Sequence, residues 1–330
     1  MRYSLLLLLA VIVCPATGRA QAERVDQRFF TLNWENDRWA DTDRHYTNGN
    51  RIGFLSSESD VPDWLRAYAS YLPFIDSHDR LRYSLAFGQN MFTPENITAR
   101  ALQPHDRPYA GWLYLEGGLR VEHAHYTDHI SLSLGVVGES ALAEPVQEVV
   151  HDVTDSPDPS GWDNQLKDEP ALLLSYERTW PALLRHHPTR GVQMDISPRL
   201  GGSLGNVFTQ IAAGATMRMG FNLDAHDGYP PRIRPSMSGS DYFTPSDGLS
   251  SYLFVGMEGR GVARNIFLDG NTYKNSHQVD REPFVLSAQL GAALTYHAMQ
   301  LSYAHVFMKE EFRQQTGDTQ FGVITLSYAF

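Results

Sequence analysis

Apolar residues recur at every second position along most of this 330-residue chain. In one segment the alternate positions hold Ile130, Leu132, Leu134 and Val136, while the positions between them are small or hydroxylated. This period of two predicts β-strands with one apolar face and one face that tolerates polar groups. Other segments place charged side chains such as Arg218 and Glu258 on the second face, as expected for strands that surround a polar interior.

The alternation predicts an all-β fold, a transmembrane antiparallel β-barrel of about twelve strands. An even number of strands lets such a barrel close with both chain ends on the same side. The last strand is typical of the terminal strand of a bacterial outer-membrane barrel, with Ile324, Leu326, Tyr328 and Phe330 on one face. The predicted strands are 28–36, 47–56, 81–91, 109–121, 128–138, 170–180, 190–202, 208–221, 250–261, 283–296, 298–309 and 319–330.

The first 22 residues have the organisation of a secretory signal peptide. Arg2 is basic, Leu5 to Val13 form an apolar run, and Ala20-Gln-Ala22 provides a cleavage site. We expect cleavage after Ala22 and one barrel domain over 23–330. Cys14, the only cysteine, lies in the predicted signal peptide, so no disulfide is expected in the mature chain. The predicted location is the outer membrane of a Gram-negative bacterium.

The chain is acidic, with a formal net charge of -11 at pH 7. Removing Arg2 and Arg19 with the signal peptide leaves -13. This charge argues against nucleic acid as a partner, because nucleic-acid binding needs a basic surface. An acidic barrel can instead attract divalent cations.

With both chain ends in the periplasm, the extracellular loops are predicted at 37–46, 92–108, 139–169, 203–207, 262–282 and 310–318. Two periplasmic connections, 57–80 and 222–249, are unusually long, and the first contains a predicted short amphipathic helix over 62–71. Loop 139–169 is predicted to contain a short helix over 139–152, which places Gln147 and His151 on one helical face. The topology brings this helix to the same rim as Asn36-Asp37, Thr47-Asn48 and the Asp106–Tyr109 turn. Polar groups that converge in this way are what an active site on a barrel wall requires.

A second group of metal-ligand residue types comprises His123, His125, His129 and Asp128. Zinc accepts such ligands, so a metal site is one interpretation. The other is structural, because the predicted topology puts the group in a short periplasmic turn far from the other polar residues. Asp106 and Arg107 are expected to form a salt bridge within their turn.

Six motifs together resemble the outer-membrane lipid A 3-O-deacylases. They are Asn36-Asp37, Asp43-Arg-His-Tyr-Thr-Asn-Gly49, Gln89-Asn-Met-Phe-Thr-Pro94, Asp106-Arg-Pro-Tyr-Ala-Gly-Trp112, Gln147-x-x-x-His151 and Trp162-Asp-Asn-Gln165. The resemblance covers most of the mature chain and is strongest between about 30 and 170. It implies a twelve-stranded barrel that uses Ca2+ to hydrolyse the ester-linked 3-hydroxyacyl chain at the 3-position of lipid A.

The resemblance also implies roles for individual residues. His151 would take a proton from the attacking water, Gln147 would orient the water or a substrate carbonyl, and Thr47 would hold a substrate or water oxygen. Asp37 and Asn36 would supply hard oxygen ligands to Ca2+, and Asn36 also belongs to the catalytic group. The family uses a lysine in the second extracellular loop, where Arg100 is the nearest cation here.

The expected partners are lipid A or lipopolysaccharide as substrate and the lipids of the outer membrane, with the protein as a monomer. The alternatives are a catalytically silent barrel, acting as a pore or a surface-binding protein, and a phospholipase-type acyl hydrolase.

Overall fold

The computed structural model describes residues 26–40, 45–72, 74–76, 78–154, 156–189, 191–223 and 241–330. The predicted signal peptide and the first two residues of the 43–49 motif lie outside the described residues. Cleavage after Ala22 therefore stays a prediction.

Twelve antiparallel strands close into a barrel in which each strand pairs with its neighbours in the chain. The first strand, β1 (Phe29–Asn36), pairs with the last, β13 (Thr319–Ala329), so the sheet closes on itself. The other barrel strands are β2 (His45–Leu55), β3 (Arg80–Thr93), β4 (Ala110–Glu122), β5 (Thr127–Val137), β6 (Glu169–Thr179), β8 (Val192–Gly205), β9 (Phe208–Phe221), β10 (Ser246–Asn265), β11 (Phe284–His297) and β12 (Met299–Met308). All twelve predicted strands are confirmed, with ends shifted by a few residues.

A further strand, β7 (Leu184–Thr189), was not predicted. It pairs only with the first residues of β8, because β6 pairs with the rest of β8 and closes the barrel there. All six β7 residues are exposed, and Pro188 interrupts them. Because neither of its faces is buried, β7 has no apolar alternation by which the sequence could reveal it.

An apolar belt surrounds the barrel. Leu326 and Tyr328 on β13 are exposed, whereas Thr325 and Ser327 between them are buried. The same outward orientation holds for Leu132 on β5, and the belt continues around the other strands. Large apolar side chains on the outside and polar side chains on the inside are the pattern of a barrel in lipid.

Ion pairs fill the barrel interior. Arg51 donates two hydrogen bonds to the Asp241 carboxylate at 2.6 and 2.9 Å and lies 3.4 Å from Glu116. Further along the lumen, Arg199 pairs with Glu258 at 3.0 Å. Burying charged groups is costly unless they are paired, and in these pairs opposite charges lie next to each other.

Aromatic residues occupy both ends of the lumen. At one end Phe267, from the short helix α3 (Ile266–Asp269), stacks on Phe92 with 3.9 Å between ring centroids. At the other end Tyr242 and Phe243 pack on Phe29. Tyr242 and Phe243 belong to the long connection before β10. The described part of that connection therefore enters the lumen at the end where β1 begins. The filled lumen counts against the pore alternative.

Both predicted loop helices are present. Helix α1 (Asp63–Ala69) lies in the connection between β2 and β3, and helix α2 (Ala143–Thr154) lies in the connection between β5 and β6. Short 3-10 helices span Asp37–Ala40, Glu139–Ala141 and Trp162–Asn164. We call the barrel end that carries α2 the α2 rim.

Among the described residues, no helix has the length and apolar character to cross a membrane.

Candidate active site

Helix α2 lies against the outside of the barrel at the α2 rim, in contact with β3 and β4. Its first turn contains Glu144 and Pro145, residue types that suit the start of a helix. Gly111 on β4 permits the close approach, because a Cβ added there would lie 2.6 Å from the Cβ of Ala143. Met91, Tyr109, Ala143 and Trp162 form a buried apolar cluster beneath the helix. The contact between α2 and strands β3 and β4, which we call the cleft, therefore lies on the outer wall of the barrel.

A chain of hydrogen bonds orients His151. Trp162 Nε1 donates to Gln147 Oε1 at 2.8 Å, which leaves the Gln147 Nε2 group facing His151 Nε2 at 3.4 Å. On the other side of the ring, His151 Nδ1 lies 2.6 Å from the carbonyl oxygen of Pro157. Because a carbonyl only accepts, this contact assigns a proton to Nδ1, and in the neutral imidazole the lone pair is then on Nε2. His151 is thus held in the tautomer that a general base needs at Nε2.

Asn36, Asp37 and Thr47 lie at the ends of β1 and β2, and all three are buried. Asn36 pairs in register with Asn48, and the Thr47 hydroxyl is 2.6 Å from that of Thr93. The alternation along β1 puts Asn36 on the outward face with Trp34, yet Asn36 is buried whereas Trp34 is exposed. Three of the predicted residues therefore meet at one point of the barrel wall.

Arg38 connects this strand end to the loop that follows α2. Its backbone N–H donates to Asn36 Oδ1 at 2.9 Å, and its guanidinium donates to the Ser156 hydroxyl. The backbone N–H of Ser156 in turn donates to the His151 carbonyl oxygen at 3.0 Å. Arg38 was not predicted from the sequence, because its partner lies 118 positions away and only the tertiary structure brings the two together.

Arg100, the nearest cation in the second extracellular loop, forms its ion pair away from the other predicted site residues. Arg100 is exposed and lies 3.7 Å from Asp163, so its pairing is at the surface rather than with the predicted catalytic residues.

The prediction of a salt bridge between Asp106 and Arg107 within their turn was wrong. Arg107 is fully buried and its guanidinium pairs with Glu311 at 3.2 Å, while Asp106 Oδ1 accepts the Arg107 backbone N–H. Arg107 points into the barrel, so its side chain cannot fold back onto the turn.

Near the opposite rim, His123 and Asp128 of the histidine group belong to a network of polar contacts. His123 lies 2.9 Å from Asp79 and 3.2 Å from Asp128, and Asp128 also accepts two hydrogen bonds from Arg178 at 2.7 Å. Within the described ranges, no set of three or more His, Cys, Asp or Glu side chains is arranged to hold a metal. The structural interpretation of this group is therefore the better one.

The donor chemistry around Asp37 suits Ca2+. Asp37 contributes a carboxylate that is fully buried, and Asn36 contributes an amide oxygen from the adjacent position. Asn36 Oδ1 accepts one hydrogen bond, from Arg38, which leaves its second lone pair. Hard oxygen donors of this kind bind Ca2+ rather than softer metals. With one carboxylate, the ligand set leaves room for water and substrate oxygens.

The solvent side of α2 is acidic. Burial and the neighbouring Glu148 carboxylate, in that order, raise the pKa of Glu144 above its ordinary value. Asp163 and Glu139 add to the same effect. Negative charge is therefore concentrated beside the cleft.

The fold and the site define an outer-membrane β-barrel protein with a loop helix packed on its outer wall and buried polar residues on that helix. The model of the family described as outer membrane protein LpxR matches residues 5–330. The chain belongs to the LpxR family, which confirms the resemblance inferred from the motifs.

The solved structure of a family member shares the fold. LpxR from Salmonella typhimurium is 19% identical and superimposes with a TM-score of 0.71, covering 92% of this chain and 100% of that one. The beta domain of the Bordetella autotransporter BrkA is 8% identical with a TM-score of 0.43, covering 92% of this chain and 98% of that one. None of the curated proteins compared with the chain matches it.

Proposed function

We propose that this protein is a Ca2+-dependent lipid A deacylase that hydrolyses the ester-linked 3-hydroxyacyl chain at the 3-position. The observation that carries the proposal is the oriented, buried His151, whose Nδ1 lies 2.6 Å from the Pro157 carbonyl oxygen and whose Nε2 lies 3.4 Å from the Gln147 amide nitrogen. The proposed substrate is a membrane lipid, and a cleft on the outer wall opens where that lipid resides. We further propose that the α2 rim faces the cell exterior, because lipopolysaccharide occupies the outer leaflet.

In the proposed reaction, His151 Nε2 removes a proton from water as the water oxygen attacks the ester carbonyl carbon. Gln147 Nε2, fixed by the Trp162 indole, positions that water next to the imidazole. The tetrahedral oxyanion then collapses, the bond to the sugar oxygen breaks, and the imidazolium returns the proton to the departing alkoxide. The products are a free 3-hydroxy fatty acid and a 3-hydroxyl group on lipid A.

The oxyanion requires positive charge or hydrogen-bond donors. We assign Asn36 Nδ2 and the Thr47 hydroxyl to substrate oxygens, since both groups lie at the adjacent strand ends. The Asp37 carboxylate and the side-chain oxygen Oδ1 of Asn36 would hold Ca2+. When bound, the ion would polarise the ester carbonyl as a Lewis acid.

Mass spectrometry of lipid A tests the proposal. Lipid A from cells that produce the protein is expected to lose the mass of one 3-hydroxyacyl group, and the loss should disappear when Ca2+ is chelated. Fragmentation locates the missing chain at the 3-position. Unchanged lipid A in cells whose outer membrane contains the folded protein would rule the proposal out. Turnover of glycerophospholipids instead would favour the phospholipase alternative.

Trp162 is proposed as a positioning residue that acts through Gln147. Trp162→Phe keeps an aromatic side chain, although a smaller one, and loses the Nε1 donor, so the Gln147 amide is free to flip. We expect kcat to fall about tenfold with KM nearly unchanged, because orientation of the attacking group affects the chemical step. Trp64→Phe is the matched control, since Trp64 is exposed on α1. An equal effect of both substitutions would contradict this role.

A further inference from the structure

An apolar groove runs down the outer wall of the barrel beneath the candidate active site. Its volume is about 630 Å³, and outward-facing side chains of strands β1 to β5 line it. Ile52, Phe87, Leu115 and Leu134 form one row across four strands that are neighbours in the sheet.

The groove is continuous with the site. Outward positions on β3 run from Met91 and Gln89 to Phe87 and Leu85, because successive residues on one face are two apart. Met91 packs beneath α2, and Gln89 Nε2 donates to the Ala141 carbonyl oxygen at 2.7 Å, so both belong to the covered cleft. Phe87 and Leu85 then lie roughly 7 and 13 Å farther along the strand from Gln89. The groove therefore begins where the helix cover ends and leads away from the α2 rim.

Gly117 is the low point of this groove. It pairs in register with Leu85 on one side and Leu132 on the other, and both leucines are exposed. A Cβ added at Gly117 would meet no atom within 4 Å, so the absent side chain leaves a depression between the two leucines. A larger residue at this position would fill the groove without disturbing the barrel wall.

We propose that this groove binds the acyl chain that the site releases; the inference rests on the proposed function. A chain whose ester carbonyl lies beside His151 must continue from the polar cleft into an apolar environment, and the groove starts at that boundary. Bilayer lipid is as apolar as the groove, so hydrophobic transfer gives no preference between them. The gain is packing against a shaped surface, which holds the carbonyl in position and makes hydrolysis sensitive to chain length.

Gly117→Leu tests the proposal against Gly259→Leu, a matched substitution at an outward glycine of β10, away from β1 to β5. A Cβ at Gly259 would make only an ordinary contact, 3.4 Å from Leu286 Cδ2. Release of 3-hydroxy fatty acid is measured by mass spectrometry on lipid A substrates with long or short 3-position chains. We expect Gly117→Leu to lower kcat about tenfold for the long chain and less than about twofold for the short chain. Gly259→Leu should match the wild type on both.

Three results would overturn the groove assignment. One is a Gly117→Leu enzyme with the wild-type rate on both substrates, as expected if bilayer lipid fills the groove. Another is an equal loss on both substrates, which indicates a general defect rather than chain selection. The third is absence of release by the wild type from every substrate, which removes the proposed function itself. The first two leave the proposed function intact, so the failures are distinguishable.

Discussion

Replacing His151 with alanine is expected to lower kcat/KM for acyl release by about a thousandfold, the range seen when a general base is removed. A hydrogen bond from Nδ1 to the Pro157 carbonyl oxygen at 2.6 Å sets the orientation and tautomer of the imidazole. Alanine removes the Nε2 lone pair and leaves water to attack without a base. Lipid A mass spectra from cells that produce wild type or variant measure the effect.

The matched control is His187→Ala, because His187 is exposed on the peripheral strand β7. It should release acyl chains at the wild-type rate. Heat-modifiable gel mobility establishes that both variants fold as barrels. If the folded His151→Ala protein keeps near wild-type activity, His151 is not the base, and the assignment of the reaction to this cleft is wrong.

Removing Ca2+ is expected to lower the rate by about a hundredfold, since a Lewis acid at a carbonyl contributes several kcal/mol to the transition state. Asp37→Asn retains the size of the side chain but removes its charge and replaces one acceptor oxygen with an NH2 donor. We therefore expect the variant to require at least about tenfold more Ca2+ for half-maximal activity. Titration of activity with Ca2+ after chelation gives both values, and Mg2+ should restore little.

Asp163→Asn is the control for charge, because its carboxylate is exposed and pairs with Arg100 at the surface. Its Ca2+ requirement should equal that of the wild type. Full activity of the wild type in excess chelator would remove Ca2+ from the mechanism. A Ca2+ requirement that Asp37→Asn leaves unchanged would instead place the ion elsewhere in the cleft.

The barrel was predictable because lipid imposes the same demand on every strand. Each outward position must be apolar and each inward position must suit a polar lumen, so alternation appears in segments such as Ile130–Val136. Strand β7 was missed because it lies outside that environment, with neither face buried. The helix carrying Gln147 and His151 was predictable from its position in a long loop without strand alternation.

The site was only partly predictable. Motifs indicated Asn36, Asp37, Thr47, Gln147 and His151, and the strand count brought them to one rim. The hydrogen bonds that orient them depend on distant pairs, such as Arg38 with Ser156 and Trp162 with Gln147. Arg107 illustrates the same limit. Its guanidinium pairs with Glu311, which is 204 residues away, and not with the adjacent Asp106 as predicted.

The sequence by itself therefore determined the architecture, the lipid-facing side of each strand and the residue types available at the α2 rim. These follow from local rules, since a period of two and a four-residue helical spacing are read within a few positions. Only the tertiary structure decided the histidine tautomer, the packing of α2 on the outer wall and the groove beneath it. Those features arise where strands and loops far apart in the chain come within hydrogen-bonding or van der Waals distance, and no local pattern encodes that distance.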